Sequence, residues 1–448
     1  MPSAVSKSVP PHLLVERALA LVPDYEDFLP LSDALIGASR VDSDKLWARS
    51  GAYATVGKRV VDPARVEEMV RVRLARSHER LRELFDLVLG AIREQQAGNP
   101  ATAAEMLVQA GEMEETARRL DKADRIYRMA LGISQDLREK EPHVLALRRL
   151  GRAARTAGRL DEAWSWYEQS FQLAGGALDV EGQVIACQGL GNVCHDRGER
   201  DRARMWWEQG LQLAAGLDQP AVEWPLYMNL SALSMLEGDL AESERLLDRG
   251  RERMEQSGAP DARMYWLNNR GLLLLEHGDS APAEAVFREA LSGAEGHWEL
   301  TMRVNLGEAL RAQGRLLEAE DEARRAEEVA IVHRLVPDLI DVYTLLGSIA
   351  RDRCEEEGFV FYEQALRVCH ERGLPRKTEA AILHGYGQLH CACDRPEEGR
   401  GYLEAARDVY RALGFAPELG RVEESLAKLE PEPELELEPV LEREPEPV

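Results

Sequence analysis

The sequence predicts an all-α chain built as a solenoid of about eight stacked helix hairpins, and three observations carry that prediction. The first is a period. Small residues fall at Gly111, Gly151, Gly191, Ser231, Gly271, Gly307, Gly347 and Gly387, in steps of 40, 40, 40, 40, 36, 40 and 40 residues. A fixed period of this size marks a stacked array in which each unit buries its face on the next. The second is that other positions recur in phase with it, among them Gly158, Gly198 and Gly314, and Ala163, Ala203 and Ala319. The third is composition: 44% hydrophobic and 30% charged residues suffice for a core, and no apolar run approaches the roughly 20 residues a membrane span requires.

Residues 1–100 stand outside the clear phase. Leu13 to Leu21 and Glu67 to Arg93 have helical apolar spacing, and Phe85, Leu87, Val88 and Ile92 are placed to cover the first repeat. A solenoid needs a terminal cap with one polar face. This stretch is therefore read as an N-terminal helical cap, with a docking module in Asp24 to Val61 as the competing reading. Gly51 to Lys58 has the glycines and lysine of a phosphate loop, but the spacing is wrong by one. No Ser or Thr follows the lysine, and no buried strand precedes it.

Residues 101–415 hold the array. Its clearest unit runs from Leu150-Gly151 through Gly158, Ala163 and Tyr167 to Ser170. The next has Leu190-Gly191, Gly198, Ala203, Trp207 and Gly210, and later units repeat Leu306-Gly307, Leu346-Gly347 with Tyr362 and Ala365, and Tyr386-Gly387 with Leu403 and Ala406. Small residues let two helices approach to about 8 Å, and a glycine between them ends one helix and turns the chain. Departures stand at Arg118, at Ser231 with Ser243, at a turn one residue shorter near Cys354 to Gly358, and at Asp394-Arg395-Pro396. The 36-residue step predicts a shortened second helix around Gly293 to Gly296 and a local change of superhelical pitch. Residues 416–429 read as a closing helix. Glu430 to Val448 alternates Glu, Pro and Leu, with eight Glu and one Arg, and is predicted to be a disordered solubilising tail. A competing reading makes it an internal acidic ligand.

These positions resemble the tetratricopeptide repeat (TPR) over about 310 of the 448 residues. In that family small residues at positions 8, 20 and 27 let helices A and B touch, and an aromatic at 24 fills the seam. The longer period is similar to that of LGN-type spindle adaptors, kinesin light chains and bacterial regulators rather than the 34-residue form, and implies helices longer by about a turn. The resemblance implies a right-handed α-solenoid whose A helices line a concave wall through positions 2, 5, 6, 9, 12 and 13.

Those positions map a candidate partner-binding surface. Repeat two places Arg148, Arg149, Arg152 and Arg155 in a basic stripe. It suits an acidic peptide or carboxylate, and pairing with Glu112 and Glu115 one repeat earlier is the competing reading. Repeat three presents Gln188, Asn192 and His195, and repeat four Asn229 amid Met228 and Met235. Repeat five presents Tyr265, Asn268 and Asn269, repeat six Asn305, Glu308 and Arg311, and repeat seven Thr344, Ser348 and Arg351. Asn229, Asn269 and Asn305 recur at position 6. In related arrays such amides hold the backbone of an extended peptide, and the resemblance implies that role here. A bond to a neighbouring helix is the alternative. Gly189 and Pro225 stand where the chaperone carboxylate clamp has polar groups. Trp224, Met228, Met235, Tyr265, Leu272 and Leu275 form an apolar pocket suited to a partner's anchor residue.

Other chemistry is excluded or unsupported. The formal net charge of -24, of which the tail supplies -7, argues against nucleic acid and against anionic lipid. No signal peptide is read, and Cys187, Cys194, Cys354, Cys369, Cys391 and Cys393 form no disulfide-like framework, so a reduced, cytoplasmic protein is expected. The preference for Arg over Lys suggests a GC-rich bacterial genome. His384, His390, Cys391 and Cys393, with Cys369 and His370, lack zinc-knuckle spacing, and Cys391 and Cys393 point to different helix faces. No nucleophile elbow, dinucleotide loop or metal motif is present, so no cofactor is expected.

The expected function is a non-catalytic adaptor that binds a peptide or helix of a partner protein in the concave groove, without nucleic acid or membrane insertion. The apolar end repeats offer a surface for self-association. The alternative is a peptide-sensing regulatory subunit that gates a separate effector: a protease, kinase or transcription factor.

Overall fold

The structure is a computed structural model that describes residues 79–116, 119–259, 262–333, 335–372 and 376–429. Among these residues all regular structure is helical, and the chain is an all-α helical solenoid. The readings made for Leu13 to Leu21, Asp24 to Val61, Gly51 to Lys58, Arg118 and Glu430 to Val448 lie outside the described residues.

The chain divides into two units at His277 and Gly278. The first holds α1 (Glu79–Ala97) and the hairpins α2 (Pro100–Thr116) with α3 (Leu120–Ser134) and α4 (Glu141–Thr156) with α5 (Leu160–Ala177). It continues through α6 (Val180–Asp196) with α7 (Arg200–Ala214), α8 (Pro220–Leu236) with α9 (Leu240–Ser257), and α10 (Ala262–Glu276). Helix α1 contributes Leu84, Val88, Ala91 and Ile92 to one apolar cluster with Ala103, Leu107 and Val108 of α2.

The second unit begins with α11 (Ser280–Leu291), followed by α12 (His297–Ala312) with α13 (Leu316–Val332). A 3-10 turn at Val336–Asp338 leads into α14 (Leu339–Asp352), which pairs with α15 (Glu357–Arg372). Helices α16 (Arg376–Ala392) and α17 (Pro396–Leu413) form the last hairpin, and α18 (Ala416–Ala427) packs on α17. Helix α11 has only 12 residues against the 15 to 18 of the second helices α3, α5, α7 and α9. The 36-residue step is spent there, and Gly296 enters α12 at φ 56°.

The phase-marking glycines are contact points. A Cβ added at Gly151 would lie 2.9 Å from the Tyr167 ring, and at Gly347 2.6 Å from Tyr362. Side chain and missing side chain thus interlock across each hairpin. At Ser231 the hydroxyl donates to the Ser243 carbonyl at 2.9 Å, so the seam is polar there but satisfied. Turns between paired helices need a left-handed residue. Gly198 adopts φ 81°, and the next amide, Glu199 N–H, donates back to the Cys194 carbonyl at 2.8 Å. Cys354 (φ 56°) and Asp394 (φ 58°) hold the same conformation without being glycine, and Glu355 and Arg395 make the matching bonds to Ala350 and His390.

Ion pairs tie neighbouring repeats within each unit. Arg159 reaches Asp124 at 3.1 Å in the first, and in the second Arg311 reaches Asp352 and Arg353 reaches Glu320, both at 2.7 Å. Among the described residues no helix is long and apolar enough to cross a membrane.

Candidate interaction cleft

Helices α4, α6 and α8 are successive first helices of their hairpins, and each touches the next. Their inward faces line a cleft of about 600 Å³ in the first unit. The 40-residue period stacks equivalent positions side by side. Position 5 thus reads Arg148, Gln188 and Met228 across the three helices, and position 9 reads Arg152, Asn192 and Ala232.

The α4 end is cationic, yet most of its charge is already matched. Arg152 donates to both oxygens of Glu115, at 2.7 and 2.8 Å, and the Tyr127 hydroxyl donates to the same carboxylate at 2.7 Å. Burial alone would lower the Arg152 pKa, but these bonds hold the guanidinium firmly charged. Arg149 pairs with Glu112, and Arg155 with Asp196 at 3.0 Å. Arg148 is different. Among the described residues it makes no hydrogen bond or ion pair, although it is half-buried. Burial, then the neighbouring Arg149, press its pKa down, and Asp179 and Glu181 act on it only through their charge.

The middle of the cleft is amide-lined. Asn229 donates to Asn192 Oδ1 at 2.8 Å, and the Trp207 indole N–H donates to the same oxygen at 3.2 Å and to the Gln188 carbonyl at 3.3 Å. Asn192 Oδ1 is therefore saturated. The Gln188 side-chain amide and Asn229 Oδ1 have no hydrogen bond among the described residues. His195 lies against Trp207, with ring centroids 5.9 Å apart.

The α8 end is apolar. Trp224 and Tyr265 sit with ring centroids 5.5 Å apart beside Met228 and Pro225. Pro225, inside α8, has no N–H to give the Ala221 carbonyl.

Eight of the expected partner-binding residues line this one cleft: Arg148, Arg152 and Arg155 on α4, Gln188, Asn192 and His195 on α6, Asn229 on α8, and Tyr265 on α10. The others do not. Asn268 donates to Asn269, and Asn269 donates to the Met228 carbonyl at 3.1 Å, the helix-to-helix bond that competed with a peptide ladder. Asn305 lines a separate cleft of about 310 Å³ in the second unit, with Glu308, Asp341 and Thr344. Arg311 is held by Glu308 and Asp352, Arg351 by Asp352 and Gln388, and Ser348 shares a hydrogen bond with Tyr362. Met235, Leu272 and Leu275 lie outside the lining.

Sequence reasoning missed Tyr167, Trp207 and Asp196 as cleft residues. Asp196 stands at position 13, which the register already assigned to the groove. Cys369 and Cys393 belong to one apolar cluster and Cys391 to another, while His390 packs among Phe359, Tyr386 and Tyr402.

A family profile for the MalT-like TPR region matches residues 78–299. This chain is a TPR-type repeat protein. No curated protein matches it. Among solved structures it is similar to a Rap protein complexed with Competence and Sporulation Factor, with a TM-score of 0.52 and 12% identity, covering 82% of this chain and 94% of the other. It is also similar to the Rap conjugation gene regulator of plasmid pLS20 in complex with a Phr peptide, with a TM-score of 0.50 and 11% identity, covering 82% and 97%. At these identities the likeness carries the TPR fold alone.

Proposed function

We propose that this TPR protein is a non-catalytic, cytoplasmic interaction protein whose first unit takes a short extended segment of a partner protein in the α4–α6–α8 cleft. The observation that carries the reading is the gathering, in one concave wall of about 600 Å³, of a guanidinium and amides that have no partner among the described residues with an aromatic corner. Binding sites commonly combine this size with mostly apolar walls and a few placed polar groups. An extended backbone presents donors and acceptors that side-chain amides can meet. Of the two Rap structures of similar fold, one is complexed with Competence and Sporulation Factor and one with a Phr peptide, and the second supports a peptide as the ligand here. The second is a gene regulator, which favours the alternative in which ligand uptake gates a separate effector.

Hydrogen exchange of the full chain with and without a co-purified partner tests the reading. Protection concentrated in α4, α6 and α8 is expected; protection confined to α5, α7 and α9 overturns it. Small-angle scattering on the same samples separates the two uses, since a gating subunit compacts on binding and an adaptor does not.

A further inference from the structure

The four cleft arginines differ in what they still lack. Three have carboxylate partners one repeat away: Glu112 for Arg149, Glu115 for Arg152 and Asp196 for Arg155. Arg148 has none among the described residues. The charge left over at the α4 end is therefore one, on one side chain, in a chain whose net charge is -24. A phosphate dianion would need a second free cation. A carboxylate needs one, and a guanidinium meets it with two parallel N–H donors. Arginine does not shed its proton, so an incoming anion is the way this half-buried charge gains a partner. Much of its desolvation is already incurred in the unliganded protein, which favours binding.

The opposite end has the opposite character. Trp224 and Tyr265 offer aromatic surface with no charge, beside the buried Met228. Arg148 and Met228 hold the same position on helices two hairpins apart. Packed helices stand about 8–10 Å apart, so the two lie roughly 16–20 Å apart. An extended chain rises about 3.3 Å per residue, so about six residues, with five rises between the first and the last, cover that distance.

We propose that the cleft reads direction as well as shape: it takes an extended segment of about six residues with one carboxylate on Arg148 and a large apolar side chain against Trp224 and Tyr265. Gln188 lies between the two ends, and its side-chain amide, which makes no hydrogen bond among the described residues, can bond the segment's backbone. The carboxylate belongs either to an Asp or Glu side chain or to a chain terminus. This assignment rests on the peptide reading above and narrows its ligand class.

Two random hexapeptide libraries displayed against the full-length protein test it, one embedded in flanking sequence and one ending in a free C-terminus. The expected enrichment is Asp or Glu about five positions from Phe, Tyr, Trp, Leu or Met in the first library. In the second it is a large apolar residue that far from the terminus. The library that enriches identifies the source of the carboxylate. Panning on Arg148→Gln is expected to lose the acidic preference and keep the apolar one. In fluorescence anisotropy, changing the enriched carboxylate to its amide is expected to weaken binding to the natural protein roughly ten- to hundred-fold. The same change costs Arg148→Gln less than about twofold, and Arg148→Lys retains part of the preference. Because Arg148 makes no bond among the described residues, its substitution leaves the fold in place, which helical circular dichroism checks. Enrichment without an acidic group at that spacing overturns the directional assignment and leaves the peptide reading standing. No enrichment over bare support overturns both.

Discussion

Replacing Gly191 with Ala asks one methyl group to enter the seam between α6 and α7. A Cβ there would lie 2.3 Å from Trp207 Nε1 and 2.5 Å from Cδ1, where ordinary contact begins at 3.4 Å, so the indole must retreat by about 1 Å. It has little room to do so. Trp207 is buried, and its N–H holds the Gln188 carbonyl and Asn192 Oδ1. Overpacking of this kind costs about 1–3 kcal/mol, and weakening the indole bonds adds about 1 kcal/mol. Alanine regains about 1 kcal/mol over glycine inside a helix. The expected net is a destabilisation of about 1–3 kcal/mol. Gly401→Ala supplies the opposite sign, since Gly401 lies inside α17 with nothing within 4 Å of its would-be Cβ. It should gain up to about 1 kcal/mol. Urea unfolding followed by helical circular dichroism measures both. Hydrogen exchange in α6 and α7 localises the first, because repeat arrays need not unfold all at once. If Gly191→Ala proves as stable as Gly401→Ala, the close-packed seam is not what holds these hairpins.

Other expectations follow from the charges. Glu115→Ala strands Arg152 and the Tyr127 hydroxyl and should cost about 1–3 kcal/mol, below the fully buried case because Arg152 is partly exposed. Arg148→Gln should stay within about 0.5 kcal/mol, and denaturation curves showing the reverse order would refute the assignment of free and committed arginines. Burial, then Arg351 and Arg421, push the His384 pKa down from 6.5 to about 4. The unfolded chain therefore binds the proton first. The His384 contribution to the stability of the second unit is fully present above pH 6.5 and is lost as pH falls toward 4. His384→Gln should flatten that decline, and identical pH profiles would remove His384 as its cause. A chain ending at Leu429 should bind an enriched hexapeptide as the full chain does. A tighter grip by the shortened chain would instead make Glu430 to Val448 a competitor for the cleft.

The hairpins were legible because packing is local and periodic. Gly151, Gly191 and Gly347 recur in step with Tyr167, Trp207 and Tyr362 since each pair must interlock, and that demand repeats down the chain. The site was less legible. Register alone brought Arg148, Gln188, Asn192 and Asn229 to one wall, but it does not say which of them are already engaged. Arg152 is answered by Glu115, 37 residues away, and Arg155 by Asp196, 41 residues away. Those separations join residues of neighbouring repeats, and side-chain reach decides them. Trp207 read as seam filler and proved to face the cleft as well, because its indole N–H points across to Asn192. Asn269 and Asn305 share a repeat position with Asn229 and still part from it, one to the Met228 carbonyl and one to a different cleft.

The ion pairs between neighbouring repeats bear on how such a chain can grow. A unit whose arginine is neutralised by the unit before it cannot be copied, deleted or moved alone without leaving an orphan at the new junction. Arg311 with Asp352 and Arg353 with Glu320 run in opposite directions across one such junction. The heritable module is then the bond between two hairpins rather than the hairpin itself, and lengthening the array demands a matched couple at every new join.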